Sequence, residues 1–144
     1  MFNEILVAYD GSDCSKKALA KACEMQEQNP YVKLHILTAF SLPANQMFSL
    51  YGPAITEEIV EQYENQARAR LEEAEQNVGS EREGCTFHIL RGDPANAILQ
   101  YSEAHHIDLI IVGSRGLGAV KGMIMGSVSS RIVQQAHCNV LIIK

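Results

Sequence analysis

Five short apolar runs alternate with longer amphipathic stretches along this 144-residue chain. Residues 5–9, 34–40, 86–90, 109–112 and 140–143 read as strands, each bounded by turn-forming or polar residues. The last two are apolar throughout instead of alternating, which is expected of strands covered by helices on both faces. A helix is expected over residues 15–28, with Ser12 or Asp13 as its N-cap and Asn29-Pro30 as its stop. Ile55, Ile59, Tyr63, Ala67, Leu71, Ala74 and Val78 recur every three or four positions, a core-facing stripe on one long helix. Its other face, dense in Glu, Gln and Arg, reads as solvated surface. Asp93-Pro94 opens a third helix, with the carboxylate as cap and proline at the first helical position, and residues 127–136 form a fourth.

Residues 41–53 carry Pro43, Gly52 and Pro53 and read as a loop. No repeat, linker or low-complexity tract interrupts the alternation. Residues 1–144 therefore read as a single α/β domain, a doubly wound five-stranded parallel sheet with four helices.

Composition narrows the function more than the fold. Hydrophobic residues make up 47% and charged residues 20% of the chain, an ordinary globular balance. The net charge of −5 argues against a broad nucleic-acid or membrane-binding face. Cys14, Cys23, Cys85 and Cys138 are scattered and read as reduced thiols, with no paired spacing for zinc or a disulfide framework. The opening MFNEILVAYDG has no basic segment, long apolar run or cleavage signal, so a cytoplasmic location is expected.

The chemistry concentrates after the fourth apolar run. Residues 113–129 hold Gly113, Gly116 and Gly126, and the loop closes on the start of the last helix. In open α/β sheets ligands bind at this end of the strands. Glycines let backbone N–H groups approach a ligand, and the unpaired amides near Ser127 and Ser129 favour a phosphate. From Gly113 to Arg131 there is no carboxylate, whereas Arg115, Lys121 and Arg131 are all cationic. The alternative is a loop with a serine-rich helix cap and no ligand. The loop is not a Walker A motif, and the glycine spacing of a dinucleotide fingerprint after the first strand is absent.

Gly113 and Gly116 are followed by nine residues and then Gly126-Ser127. In this spacing the chain resembles the ATP-binding members of the universal stress protein family, whose loop reads Gly-x-x-Gly, nine residues, then Gly-Ser or Gly-Thr. The likeness runs from ILVAYDGS near the start to NVLIIK at the end. It implies a Rossmann-like or flavodoxin-like fold with strand order 3-2-1-4-5, and ATP, or AMP or ADP, as ligand, with magnesium. It further implies that Asp10 contacts the ribose or a phosphate-bound metal, while Ala8 and Tyr9 line the nucleotide. Ala39 would present its backbone to the adenine edge, and Val112 would pack near the adenine or ribose. Gly113, Arg115 and Gly116 would wrap the ribose and phosphates, with Gly126, Ser127, Val128 and Ser129 supplying amides and hydroxyls. In the implied strand order the last strand is an edge, so a homodimer through it is expected.

Each of these residues also has a plainer role. Asp10-Gly11 is a common turn pair, and Asp13 reads as a helix cap. His105, His106 and the His137-Cys138 pair lack the companions a metal site needs. Met123 and Met125 flank Gly126 and either cover a ligand or pack the loop. Three functions follow: a nucleotide-binding regulatory module, a slow ATP hydrolase, or a dimeric interaction protein with a vestigial pocket. No carboxylate base accompanies the loop cations, which favours the first.

Overall fold

A computed structural model describes residues 1–42, 56–118, 120–122 and 124–144. The strands are β1 (Glu4–Ala8), β2 (Lys33–Phe40), β3 (Cys85–Arg91), β4 (Leu109–Gly113) and β5 (Asn139–Ile143). The helices are α1 (Asp13–Gln28), α2 (Glu57–Val78), α3 (Pro94–Ala104) and α4 (Ser127–Gln135). All pairings are parallel, in the order β3-β2-β1-β4-β5. The expected architecture and strand order are therefore observed. The expected loop residues from 43 onward, Ile55 and Met123 lie outside the described residues.

Alternation along the strands sorts the core into two layers. Ile5, Val7 and Tyr9 of the first run, with Leu34, Ile36, Leu109 and Ile111, face α1 and α2. Leu6, Leu37, Ile110 and Val112 face the other way, with Ile98 of α3 and Ile132 of α4. Burial on both faces explains the unbroken apolar run of β4, whereas β5, expected to be covered in the same way, lies at the sheet edge and is only half-buried. Small residues set the helix spacing: Ala18 and Ala22 of α1, and Ala67 and Ala74 of α2, are fully buried. The α2 stripe is buried from Ala67 to Val78, whereas Ile59 and Tyr63 are only half-buried.

The caps resolve local ambiguities. Ser12, not Asp13, caps α1, its hydroxyl accepting the Ser15 N–H at 3.3 Å; Asp13 sits in the first turn, where its charge favours the helix dipole. Asp93 caps α3 through the Asn96 N–H at 3.1 Å. Asn29 and Gly79 end α1 and α2, Gly79 with φ +92°, a conformation suited to glycine. Among the described residues no helix is long and apolar enough to cross a membrane.

Candidate functional site

The strands' carboxyl ends open into a cavity of about 410 Å³, within the range of small-ligand pockets. All twelve residues that the family resemblance implied line it: Ala8, Tyr9, Asp10, Ala39, Val112, Gly113, Arg115, Gly116, Gly126, Ser127, Val128 and Ser129. Their convergence follows from the sheet order. Adjacent in the sheet, β1, β2 and β4 end side by side, with Ala8 level with both Leu37 and Val112. The chain reverses between β1 and β4, the switch point where doubly wound sheets hold ligands.

The cavity has an apolar and a polar side. Ala8, Leu37, Ala39 and Val112 come from strand positions on the α3 face, and Pro94 and Ile98 of α3 complete that wall. The polar side is built from the turn after β1 and the loop after β4. Asp10 joins them, with Oδ1 accepting the Ser12 N–H at 2.9 Å and Oδ2 the Leu117 N–H at 3.2 Å. Ser12 adds a contact from its hydroxyl to the Arg115 carbonyl at 3.4 Å. Gly11, with φ +84°, makes the turn that brings Asp10 round.

Two motif glycines serve close packing. A Cβ on Gly113 would lie 2.7 Å from Cys14 Cβ and 2.9 Å from the Cys14 carbonyl carbon, so only glycine lets α1 seat against β4. At Gly116 it would fall 2.5 Å from Asp10 Oδ2. Gly126 differs: its φ is −76°, and a Cβ there would meet nothing closer than 3.6 Å.

The start of α4 commits some of its donors to the fold and leaves others without a side-chain cap. The Gly126 N–H, read from the motif as a phosphate donor, is given to the Ser114 carbonyl at 2.6 Å. The Ser129 hydroxyl likewise donates within the protein, lying 3.0 Å from the Ser114 carbonyl oxygen and 3.1 Å from that of Gly126. Both hold the loop closed onto the helix. The N–H groups of Ser127, Val128 and Ser129 occupy the first turn of α4, which has no side-chain cap. Those N–H groups and the exposed Ser127 hydroxyl are the donors that face outward.

The cationic character is also redistributed. Arg131 does not line the cavity; its guanidinium reaches Asp93 Oδ2 at 2.7 Å and Asn96 Oδ1 at 2.5 Å, tying α4 to the start of α3. Lys121 is exposed and outside the lining. Arg115 remains, joined by Arg70 of α2, whose position on a Glu- and Gln-rich helix face had marked it as surface. No local pattern singles out Arg70, because its approach depends on how α2 packs beside the turn after β1.

Tyr9 borders the cavity at the strand tip, but its ring is 2% exposed and lies on the α1/α2 side of the sheet. Its hydroxyl donates to Glu73 Oε1 at 3.0 Å, and Lys16 reaches the same oxygen at 2.9 Å. Burial, then the Glu73 hydrogen bond and charge, push the Tyr9 phenol up to about 12. The Tyr9 carbonyl accepts the Thr38 hydroxyl at 3.0 Å, so strand tip and helix seam are fixed together. Among the described residues no cluster of three or more His, Cys, Asp or Glu is arranged to hold a metal.

Fold and cavity together define a doubly wound α/β domain with a cleft at the carboxyl ends of its strands. The chain belongs to the universal stress protein family, whose model matches residues 1–144. The protein described as "Universal stress protein in QAH/OAS sulfhydrylase 3'region" from Thermus aquaticus is 36% identical over 144 residues, covering 100% of both chains. The solved structure of universal stress protein UspA from Lactobacillus plantarum superposes with a TM-score of 0.82 at 25% identity, covering 99% of this chain and 98% of that one. A universal stress protein solved in complex with cAMP shares the fold, with a TM-score of 0.71 at 23% identity over 99% of this chain and 97% of that chain.

Proposed function

We propose that this protein is a nucleotide-binding regulatory module of the stress response, holding an adenine nucleotide, ATP foremost, in the cavity between β1, β2, β4 and α4. The observation that carries the reading is the division of the cavity into an apolar wall and a polar side with outward-facing amides and Arg115. A purine suits the first and phosphates the second. The relative solved with cAMP supports an adenine nucleotide as the ligand class. Asp10, held by two backbone N–H groups, keeps lone pairs for a ribose hydroxyl or for magnesium shared with the phosphates.

Binding is favoured over rapid turnover. Asp10 is the only carboxylate among the described lining residues, and it already bridges two loops, which suits a positioning role better than that of a base. The ligand would then act by setting the population of one arrangement of the 114–126 segment, and through it the affinity for a protein partner. A homodimer through β5 fits this reading: among the described residues β5 pairs only with β4, leaving an apolar, half-exposed edge strand. A cytoplasmic location accords with it.

Mass spectrometry of the nucleotide released on denaturing the purified protein, alongside calorimetric titration with AMP, ADP and ATP, tests the proposal. An adenine nucleotide recovered, or a saturable titration, is expected. No nucleotide released and no heat at ligand concentrations on the order of 1 mM would overturn it.

A further inference from the structure

Arg70 lies on α2, across the sheet from the apolar wall of the cavity, and yet lines that cavity. The aliphatic part of its side chain runs beside Gly11, where a Cβ would meet Arg70 Cγ at 3.8 Å. Gly11 sits between Asp10 and Ser12, the two residues bonded to the Arg115–Leu117 segment. Arg70 and the Arg115 segment thus both lie against the turn after β1, and both arginines line the cavity. The arrangement is not incidental to a loose helix. Glu73, one turn further along α2, is fixed by the buried Tyr9 hydroxyl and by Lys16, and residues three apart share a helix face. Half-buried Arg70 is therefore held at the rim, and no ion pair or hydrogen bond engages its guanidinium among the described residues. Its neighbour Arg68, by contrast, is paired with Glu64 at 3.2 Å on the exposed side.

We infer that Arg70 is a specificity-determining residue of the nucleotide site, contacting the phosphate chain and setting preference for di- and triphosphates over the monophosphate. The inference rests on the nucleotide reading proposed above. The first phosphate is served by the α4 amides and Arg115. A longer chain carries further negative charge, and a second guanidinium on the same polar side answers it by charge-assisted hydrogen bonding. The alternative use of an arginine, stacking on the base, is disfavoured because the apolar wall belongs to the α3 side of the sheet.

The test is calorimetric titration of the wild type, Arg70→Gln and Arg68→Gln with AMP, ADP and ATP at matched magnesium, with thermal melts as a folding check. Arg70→Gln is expected to weaken ATP about tenfold or more and AMP less than about twofold, collapsing the ATP-to-AMP preference. Arg70→Lys should restore part of it, and Arg68→Gln should behave as wild type. If Arg70→Gln weakens all three nucleotides equally, the side chain acts on the base or ribose and the phosphate assignment falls. Unchanged affinities in Arg70→Gln overturn it too. A wild type that binds none of the three would instead refute the nucleotide reading itself, an outcome distinct from either.

Discussion

The two ends of the glycine motif obey different physics. At the first end, Gly113 and Gly116 are demanded by the folded chain: added carbon would overlap the first turn of α1 in one case and the Asp10 carboxylate in the other. At the second end, Gly126 has ordinary extended backbone, and a Cβ there would make only ordinary van der Waals contacts, the nearest at 3.6 Å. Nothing in the fold requires glycine there. A motif that looks uniform on paper thus joins a packing constraint to a position that the packing leaves unconstrained. Under the nucleotide reading proposed above, the difference separates what the loop does for the fold from what it would do for a ligand.

The comparison breaks most readily at Gly113. Gly113→Val would drive side-chain carbon into the Cys14 and Ser15 backbone, which cannot rotate away, so the start of α1 must move. A stability loss of about 3 kcal/mol is expected from chemical denaturation, the upper range for overpacking. A loss below about 1 kcal/mol would show that α1 slides freely on β4, and the contrast between the glycines would fail.

Gly126→Val probes the other end. With φ at −76° the backbone accepts valine without strain, and the ligand-free melt should move by no more than about 1 kcal/mol. Nucleotide affinity should fall by about 2 kcal/mol, because the side chain would crowd the approach to the Ser127 and Val128 amides. Calorimetry that finds ATP binding intact in this folded variant would remove the phosphate from this part of the loop.

The effect confined to the narrowest conditions, alkaline pH, concerns the seam that supports the first end. Tyr9 titrates near 10 in an unfolded chain and at about 12 when folded, because burial and then Glu73 favour the neutral phenol. The raised value means unfolding releases a proton between those limits. The contribution is complete below pH 10 and declines as pH rises toward 12. Tyr9→Phe should flatten that part of the stability profile, measured by urea melts across the window. Parallel alkaline losses in both proteins would show that the phenol is not held by Glu73 as described.

Much of this was legible in the residues themselves. The five strands and four helices follow from apolar periodicity, whereas the strand order and the twelve lining positions follow from the family resemblance carried by one spaced motif; strand tips that neighbour each other in the sheet bring their flanking loops together. What the motif could not show was the destination of each donor. Gly126 N–H and the Ser129 hydroxyl look like phosphate ligands in sequence, but the Ser114 carbonyl takes both. Arg131 looks like a loop cation, but Asp93 and Asn96 take it. Each partner is a dozen or more residues away, beyond any local pattern.

Sequence by itself determined the fold class, the place of the cavity and the identity of its glycine-rich wall, because hydrophobic period and backbone freedom are local properties of a chain. Only the tertiary structure decided which glycines are packing requirements, which amides stay free, and that the second arginine of the site comes from α2. Those outcomes depend on distances between elements far apart in sequence: Gly113 meets Cys14, and Arg70 meets Gly11, only after α1 and α2 have docked on the sheet.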